Sequence, residues 1–276
     1  MSTAAPRRAA VLGHPVAHSL SPTLHRAAYA ALGLDGWRYD AVDVTEAELA
    51  TFVHGLDASW AGLSLTMPLK QTVIPLLDHV EPLAEVVGAV NTVLFQGRTL
   101  IGANTDVHGL VAALGEGLDG AQVRTAAVLG AGATAASTLA ALAQLGCASP
   151  VVYVRALARA GGLMRAAHRM GVTPVYRTLD AAVGEIGRAD AVVSTLPPFA
   201  ADAIAAQVTH AEGVLLDVAY DPRPTALSVA WAAAGGAVVG GERMLLHQAA
   251  EQVRLMTGRA APLAAMSAAL EDKLTT

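Results

Sequence analysis

Apolar positions along the first third of the chain switch between two spacings. RAAVLG (8–13) is a short apolar run and WRYDAVDV (37–44) alternates, and both predict strands. Between them, SPTLHRAAYAALGL (21–34) has the spacing of an amphipathic helix, with Ser21 as N-cap and Pro22 at the first helical position. Thr45 and Glu48 have capping-box spacing and predict a helix over TEAELATFVHGL. GLSL (62–65) is a further short strand, followed by a turn and PLKQTVIPLL. NTVLFQ and TLIGAN flank Gly97-Arg98 as a hairpin. These elements predict an α/β region with a partly mixed sheet.

From Asp106 the pattern becomes regular. DVHGLVAALGEG reads as a helix, and AAVLGAG as a strand entering a glycine turn. The helix ATAASTLAALAQLG and the strand PVVYV follow, then ADAVVSTLPP and EGVLLDVAY as strands ending in polar residues. Repeated βα units predict a doubly wound parallel sheet. GERMLLHQAAEQVRLMTG and PLAAMSAALEDKL predict helices after the last strand. The boundary between the two regions falls near Asp106, with no long linker. Thr125–Val154 carries no formal charge and has the length of a membrane span. Gly, Ser, Thr, Gln and Pro interrupt it, so strand, turn, helix and strand explain it better.

Composition narrows the classes. The 276 residues are 54% hydrophobic and 15% charged, enough for a large core. A net charge of −5 with no basic stripe speaks against nucleic acid. A single cysteine, Cys147, excludes an internal disulfide and a cysteine-rich zinc site. No signal peptide is expected, since PRR is followed only by the short run AAVLG.

Of the 18 basic residues only Lys70 and Lys273 are lysines. Arginine is always charged near neutral pH, whereas lysine can exchange a proton when its surroundings lower its pKa. Lys70 is therefore a candidate for proton chemistry, or a surface residue. Gly130-Ala131-Gly132-Ala133-Thr134-Ala135 fits G-x-G-x-x-G/A between a strand and a helix, as pyrophosphate binding at a helix N-terminus requires. The next strand ends in YVRALAR, with Arg155 and Arg159 where an NAD enzyme usually offers a carboxylate. Two guanidinium groups suit the 2′-phosphate of NADP. The Tyr-x-x-x-Lys of short-chain dehydrogenases is absent. His14 and His18 have metal-like spacing but span Pro15 without an H-E-x-x-H motif, so a loop and no metal site are expected. Ser19 and Ser21 could bind a carboxylate at the helix start, or Ser21 could only cap it. Asp106 could likewise be an N-cap or a catalytic group.

HSLSPTLH, GLSLTMPLK, GAVNTV, GANTDVHG, the GAGATA turn, VAYDPRPTAL and GERMLLHQAAEQ, in this order along nearly the whole chain, resemble the shikimate dehydrogenases. The resemblance implies a substrate-binding and catalytic domain over 1–106, with a mixed sheet, completed by C-terminal helices 242–276. It implies an NADP-binding Rossmann domain over 107–241. The implied activity is reversible reduction of 3-dehydroshikimate to shikimate with NADPH, in the route to aromatic amino acids. Lys70 and Asp106 match the catalytic pair. Ser19 and Ser21 match the carboxylate-holding hydroxyls, Thr66 and Tyr220 fall on substrate-pocket positions, and Asn91, Thr105 and Gln248 match contacts to the ring hydroxyls. Arg155 and Arg159 match the phosphate clamp, and Gly241 and Met244 the nicotinamide lining; Ser194 and Thr195 fall at a strand end on the cofactor side. A cytoplasmic monomer or homodimer acting on a small molecule, away from nucleic acid and membrane, is implied.

The chain departs from the family pattern in places. Ser64 stands where an Asn is common before the T-x-P-x-K run. Val154-Arg155-Ala156 replaces Asn-Arg-Thr, which keeps the arginine and loses two small polar contacts. Ser194-Thr195-Leu196-Pro197 replaces the common Asn-Ala-Thr pattern. Alternatives are a quinate or aminoshikimate dehydrogenase with relaxed cofactor use, a folate-linked methylene dehydrogenase, and a non-catalytic NADP-binding regulator. The SLSP loop and the Lys70/Asp106 pair point away from the folate enzyme.

Overall fold

The computed structural model describes residues 6–275. The chain divides into two compact units: one runs to Thr105 and resumes at Leu246, and the other is Asp106–Leu245.

The first unit is built on six strands: β1 (Arg7–Gly13), β2 (Trp37–Asp43), β3 (Trp60–Leu65), β4 (His79–Val80), β5 (Thr92–Gln96) and β6 (Thr99–Ala103). Their order is β2-β1-β3-β5-β6-β4. β1 pairs in parallel with β2 and β3, β5 runs antiparallel to β3 and β6, and β4 is parallel to β6. The sheet is mixed, as its pattern predicts. The alternation of β2 fits its place at an edge, and β3 is buried at every residue because it lies inside. The hairpin turns at Gly97, whose φ of 66° is open to glycine without strain. Helices α1 (Ser21–Ala31), α2 (Leu49–His54), α3 (Leu69–Thr72) and α4 (Pro82–Val87) connect these strands. Leu12, Leu49, Leu63, Leu69, Val73, Val90 and Val93 form one core. Each such side chain contributes roughly 1.5–3 kcal/mol on burial.

The second unit holds α5 (Asp106–Leu118), β7 (Ala126–Leu129), α6 (Ala133–Gln144), β8 (Val151–Val154), α7 (Gly161–Met170), β9 (Val175–Thr178), β10 (Ala191–Ser194), α8 (Asp202–Ala205), β11 (Val214–Asp217), α9 (Ala226–Ala233) and β12 (Ala237–Gly240). All pairings are parallel, in the order β12-β11-β10-β7-β8-β9. The order reverses between β7 and β10, which is the switch point where doubly wound sheets bind ligands. Gly117 of α5 lets the helix lie on the sheet, since a Cβ there would sit 2.6 Å from Val214 and 2.8 Å from Val239. The last helices are α10 (Gly241–Thr257) and α11 (Leu263–Thr275). The boundary between the units falls within α10, after Leu245. In the first unit, Gly62 on β3 would place a Cβ 2.8 Å from Met256, so glycine allows that part of α10 to approach the strand.

Several local expectations are corrected. Leu20, not Ser21, is the N-cap of α1, and Ser21 is its first residue; the Ser21 N–H donates to Ser19 Oγ at 3.3 Å. The capping box is only half made. Glu48 accepts the Thr45 N–H at 3.0 Å and its hydroxyl at 2.7 Å, so the Thr45 proton is spent on the carboxylate and the helix opens at Leu49. Asp106 lies in the first turn of α5 rather than before it. β9 and β12 were not anticipated: they are the edges of the parallel sheet and half exposed, so they lack the long apolar runs of the inner strands. Among the described residues no helix is long and apolar enough to cross a membrane.

Candidate active site

In the first unit, the loop after β1 carries the two candidate serines. Asp43 at the end of β2 holds this loop. It bonds His14 Nδ1 at 2.6 Å and accepts the Val16 N–H at 3.3 Å, and the His14 bond is the main reason its carboxyl lies below the usual range. This gives His14 a carboxylate partner. Ser19 is half-buried and Ser21 is 5% exposed. Thr66 reaches across the end of β1, because Gly13 leaves room: a Cβ on Gly13 would meet Thr66 Cγ2 at 2.3 Å. The Thr66 N–H is held by Leu12 O at 2.9 Å. Lys70 follows in α3, half-buried, and its backbone carbonyl accepts the Val90 N–H at 2.8 Å. That bond ties α3 to the residue preceding Asn91.

Three ring-contact candidates come together from distant parts of the chain. Asn91, Thr105 and Gln248 are 1%, 2% and 6% exposed. Asn91 Nδ2 donates to Thr105 Oγ1 at 2.9 Å and to Gln248 Oε1 at 3.3 Å, and Asn91 Oδ1 accepts the Thr105 N–H at 2.8 Å. The Thr105 hydroxyl thus accepts a good bond, while its own acceptors within the cluster stand at 3.3–3.4 Å. Those are long for O–H···O bonds, so the cluster holds the hydroxyl hydrogen only weakly. Asp106 is the next residue and opens the second unit, while Lys70 belongs to the first.

In the second unit the glycine turn has the geometry its motif requires. Gly130 has φ 115°, and a Cβ there would lie 2.4 Å from Thr195 Oγ1, so only glycine fits. Thr195 Oγ1 is fixed by donation to Leu129 O at 2.9 Å. Gly132 is the N-cap of α6, and a Cβ there would meet nothing within 4 Å. Its outer side is open to a close-lying group. Ala135, the third motif position, is 0% exposed, which explains the small residue. Ala133 and Thr134 lie in the first turn beside Ala131, all half-buried.

Arg155 and Arg159 are both exposed just beyond β8, and a 3₁₀ turn rather than an α-helix joins them. No carboxylate lies between Val154 and Ala160. Ser194 is 1% exposed, beneath Thr195. Asp217 at the end of β11 is buried, which raises its pKa, and it accepts from Thr225 Oγ1 at 2.7 Å. Tyr220 is half-buried, and burial followed by the Asp221 charge raises its pKa. Gly241 opens α10 against the β11 loop, since a Cβ would stand 2.3 Å from Val218 O; Met244 is 7% exposed.

Other buried polar residues of the first unit were not anticipated: His25, Tyr39, Ser64, Thr92 and Gln252. Two signals were present. Gln248 and Gln252 are four apart on one helix and share a face, and Ser64 interrupts the apolar run of β3.

A doubly wound parallel sheet with a glycine turn at its switch point, in a chain that also carries a separate α/β unit holding a buried polar cluster, defines a two-domain dinucleotide-dependent dehydrogenase. The comparisons specify which. Residues 11–93 match the model described as "Shikimate dehydrogenase substrate binding domain", and residues 241–271 the "Shikimate 5'-dehydrogenase C-terminal domain". The "Shikimate dehydrogenase (NADP(+))" of Moorella thermoacetica is 38% identical over 275 residues, covering 96% of this chain and 92% of the relative. The crystal structure of Mycobacterium tuberculosis shikimate dehydrogenase is 40% identical, with TM-score 0.87, covering 97% of this chain and 100% of that one. A quinate dehydrogenase from Corynebacterium glutamicum, solved with NAD, is 28% identical with TM-score 0.87, covering 98% and 100%. The chain belongs to the shikimate dehydrogenase family.

Proposed function

We propose that this protein interconverts 3-dehydroshikimate and shikimate with NADP(H). The observation that carries the substrate assignment is the Asn91–Thr105–Gln248 cluster. It gathers three polar side chains into a buried site with one hydroxyl hydrogen held only by long bonds. The full-length likeness to NADP-dependent relatives supports the cofactor, and so do two exposed arginines where an NAD enzyme usually has a carboxylate. The Moorella relative is named for shikimate and NADP, and the Corynebacterium structure for quinate and NAD, at comparable fold similarity. The fold therefore does not choose between them, and the side chains must. We read residues 1–106 with 242–276 as the substrate domain and 107–241 as the cofactor domain.

NADPH, when bound, supplies the hydride to the ketone carbon. The chain's own groups then have three tasks. Gly130 and Gly132 leave backbone space for a pyrophosphate at the start of α6, with Arg155 and Arg159 for the 2′-phosphate. Ser19 and Ser21 hold the substrate carboxylate, with Thr66 and Tyr220 lining the pocket, while Asn91, Thr105 and Gln248 orient the ring hydroxyls. Lys70 gives a proton to the oxygen on which charge develops, and Asp106 holds that oxygen and orients the lysine. Arginine at position 70 would keep the charge and could not give the proton. The resemblance also implies a cytoplasmic enzyme acting as a monomer or homodimer.

The test is shikimate-dependent reduction of NADP⁺ by the wild type and by Lys70→Ala. Loss of general acid–base assistance should lower kcat about 10²–10⁴-fold. NADP affinity, measured directly, should hold. Wild-type turnover in Lys70→Ala would remove Lys70 from the mechanism.

A further inference from the structure

The buried polar residues outside the candidate site form a directed chain of hydrogen bonds that ends on it. Asn91 O is a backbone carbonyl and can only accept. It receives Gln252 Nε2 at 3.3 Å, and the same amide donates to Thr92 Oγ1 at 3.0 Å. Gln252 must therefore turn Oε1 the other way, where it accepts from Ser64 Oγ at 2.8 Å and from His25 Nε2 at 3.2 Å. Burial lowers the His25 pKa to about 3, so the ring is neutral and carries its hydrogen on Nε2. Ser64 spends its one hydrogen on Gln252, so the bond between Ser64 and Tyr39 at 2.6 Å is donated by Tyr39. At the far end, Thr92 accepts from Gln252 and gives its hydrogen to Asn91 Oδ1 at 2.9 Å. Asn91 Oδ1 also accepts the Thr105 N–H at 2.8 Å, and the two bonds together point Nδ2 at Thr105 and Gln248.

We propose that Tyr39, Ser64 and Gln252 are positioning residues for the substrate. Resting on the functional reading above, their relay, with the Thr105 N–H, holds the amide of Asn91 in place, and through it the Thr105 hydroxyl on the substrate side. No step in the relay can be reversed without setting two acceptors or two donors against each other in a buried site. The neighbouring geometry keeps it rigid. His25 stacks on Tyr39 with ring centroids 3.9 Å apart and planes 12° from parallel, and Tyr39 and Ser64 are 1% and 4% exposed. Ser64 stands where an Asn is common in the family. An Asn there could accept from Tyr39 through Oδ1 and donate to Gln252 through Nδ2, the same polarity. Serine keeps that polarity with a shorter side chain, because the phenol of Tyr39 reaches it.

The experiment is steady-state kinetics with shikimate and NADP⁺ on Ser64→Ala, Ser64→Asn, Tyr39→Phe, Asn91→Ala and the Ser64→Ala/Asn91→Ala double variant, with a thermal melt of each. Ser64→Ala should raise KM for shikimate about tenfold, and Tyr39→Phe about threefold, as expected for bonds of ordinary net strength. KM for NADP⁺ should stay put in both. Ser64→Asn should restore KM to within about twofold, and the double variant should be no worse than Asn91→Ala alone, since both break one unit. An unchanged KM for shikimate in folded Ser64→Ala, failure of Ser64→Asn to rescue, or additive effects would overturn the relay. Should Ser64→Ala not fold, Ser64→Cys, which keeps the size and weakens both bonds, decides by the same criterion. An unchanged KM in Asn91→Ala would instead remove the substrate site on which the relay rests.

Discussion

The two units put polar groups in different places. In the second, β7, β10 and β11 are buried throughout and polar only at their ends, in Ser194 and Asp217. The cofactor candidates there are a glycine turn and two exposed arginines. In the first unit a group of polar side chains is buried together: Ser64 in β3, Asn91 just before β5, Thr92 at its start, His25 in α1 and Gln252 in α10. The difference follows from what each unit has to recognise. A pyrophosphate is held by backbone N–H groups, which need only room, and by surface charge. A small ring with several hydroxyls needs donors and acceptors in fixed orientation, and a buried network fixes them at the cost of satisfying every member.

This contrast can be broken most forcefully by charge. Arg155→Ala with Arg159→Ala should raise KM for NADP⁺ by about tenfold per arginine, as for charge-assisted bonds. KM for shikimate and the preference for shikimate over quinate should not move. A rise confined to shikimate would place the clamp in the wrong unit. The cofactor measurement also bears on Val154 and Ala156, which replace two small polar contacts of the family pattern.

A second effect comes from the buried imidazole. Burial lowers the pKa of His25 to about 3 in the folded chain, against 6.5 for a solvated imidazole. Below pH 6.5 the unfolded chain therefore binds a proton that the folded chain refuses. The stability from keeping the ring neutral is whole above pH 6.5 and is lost as pH falls towards 3, by roughly 2 kcal/mol at pH 5. Denaturation of wild type and His25→Gln across this range isolates the effect. Parallel pH profiles would mean that His25 is not buried as a neutral ring. The raised pKa of Asp217 acts in the opposite sense and is common to both proteins, so it cancels in the difference.

The smallest effect is expected in the second unit. Phe199 has φ 65° and is 71% exposed, a strained backbone with little ring burial to offset it. Phe199→Gly should stabilise by about 0.5–1 kcal/mol and raise Tm by about 2 °C. A fall in Tm would show that the ring packs more than its exposure indicates.

The same contrast explains what could be read from the sequence. Gly130-Ala131-Gly132 and the arginines after β8 are contiguous, and a motif shows because backbone geometry is local. The parallel strands were legible as apolar runs because both their faces are covered. β9 and β12 were not, because edge strands are partly solvated. The relay was illegible for a different reason. Tyr39, Ser64, Thr92 and Gln252 come from three strands and a helix, and nothing local marks a serine in a strand or a glutamine in a helix as one partner of the other. The hints were the i, i+4 spacing of Gln248 and Gln252 on α10 and the break that Ser64 makes in the apolar run of β3. Ser21 was misplaced as a cap because the turn before it uses Ser19 to hold its N–H.

The most direct measurement is the initial rate of the purified protein with shikimate or quinate, each with NADP⁺ or NAD⁺. Fast NADP⁺ reduction with shikimate, and slower rates for the other three pairs, is the expected result. A preference for quinate or for NAD⁺ would contradict the assignment of Asn91, Thr105, Gln248 and the two arginines. No turnover with any pair, in a folded protein that still binds NADPH, would contradict the catalytic role of Lys70 and Asp106.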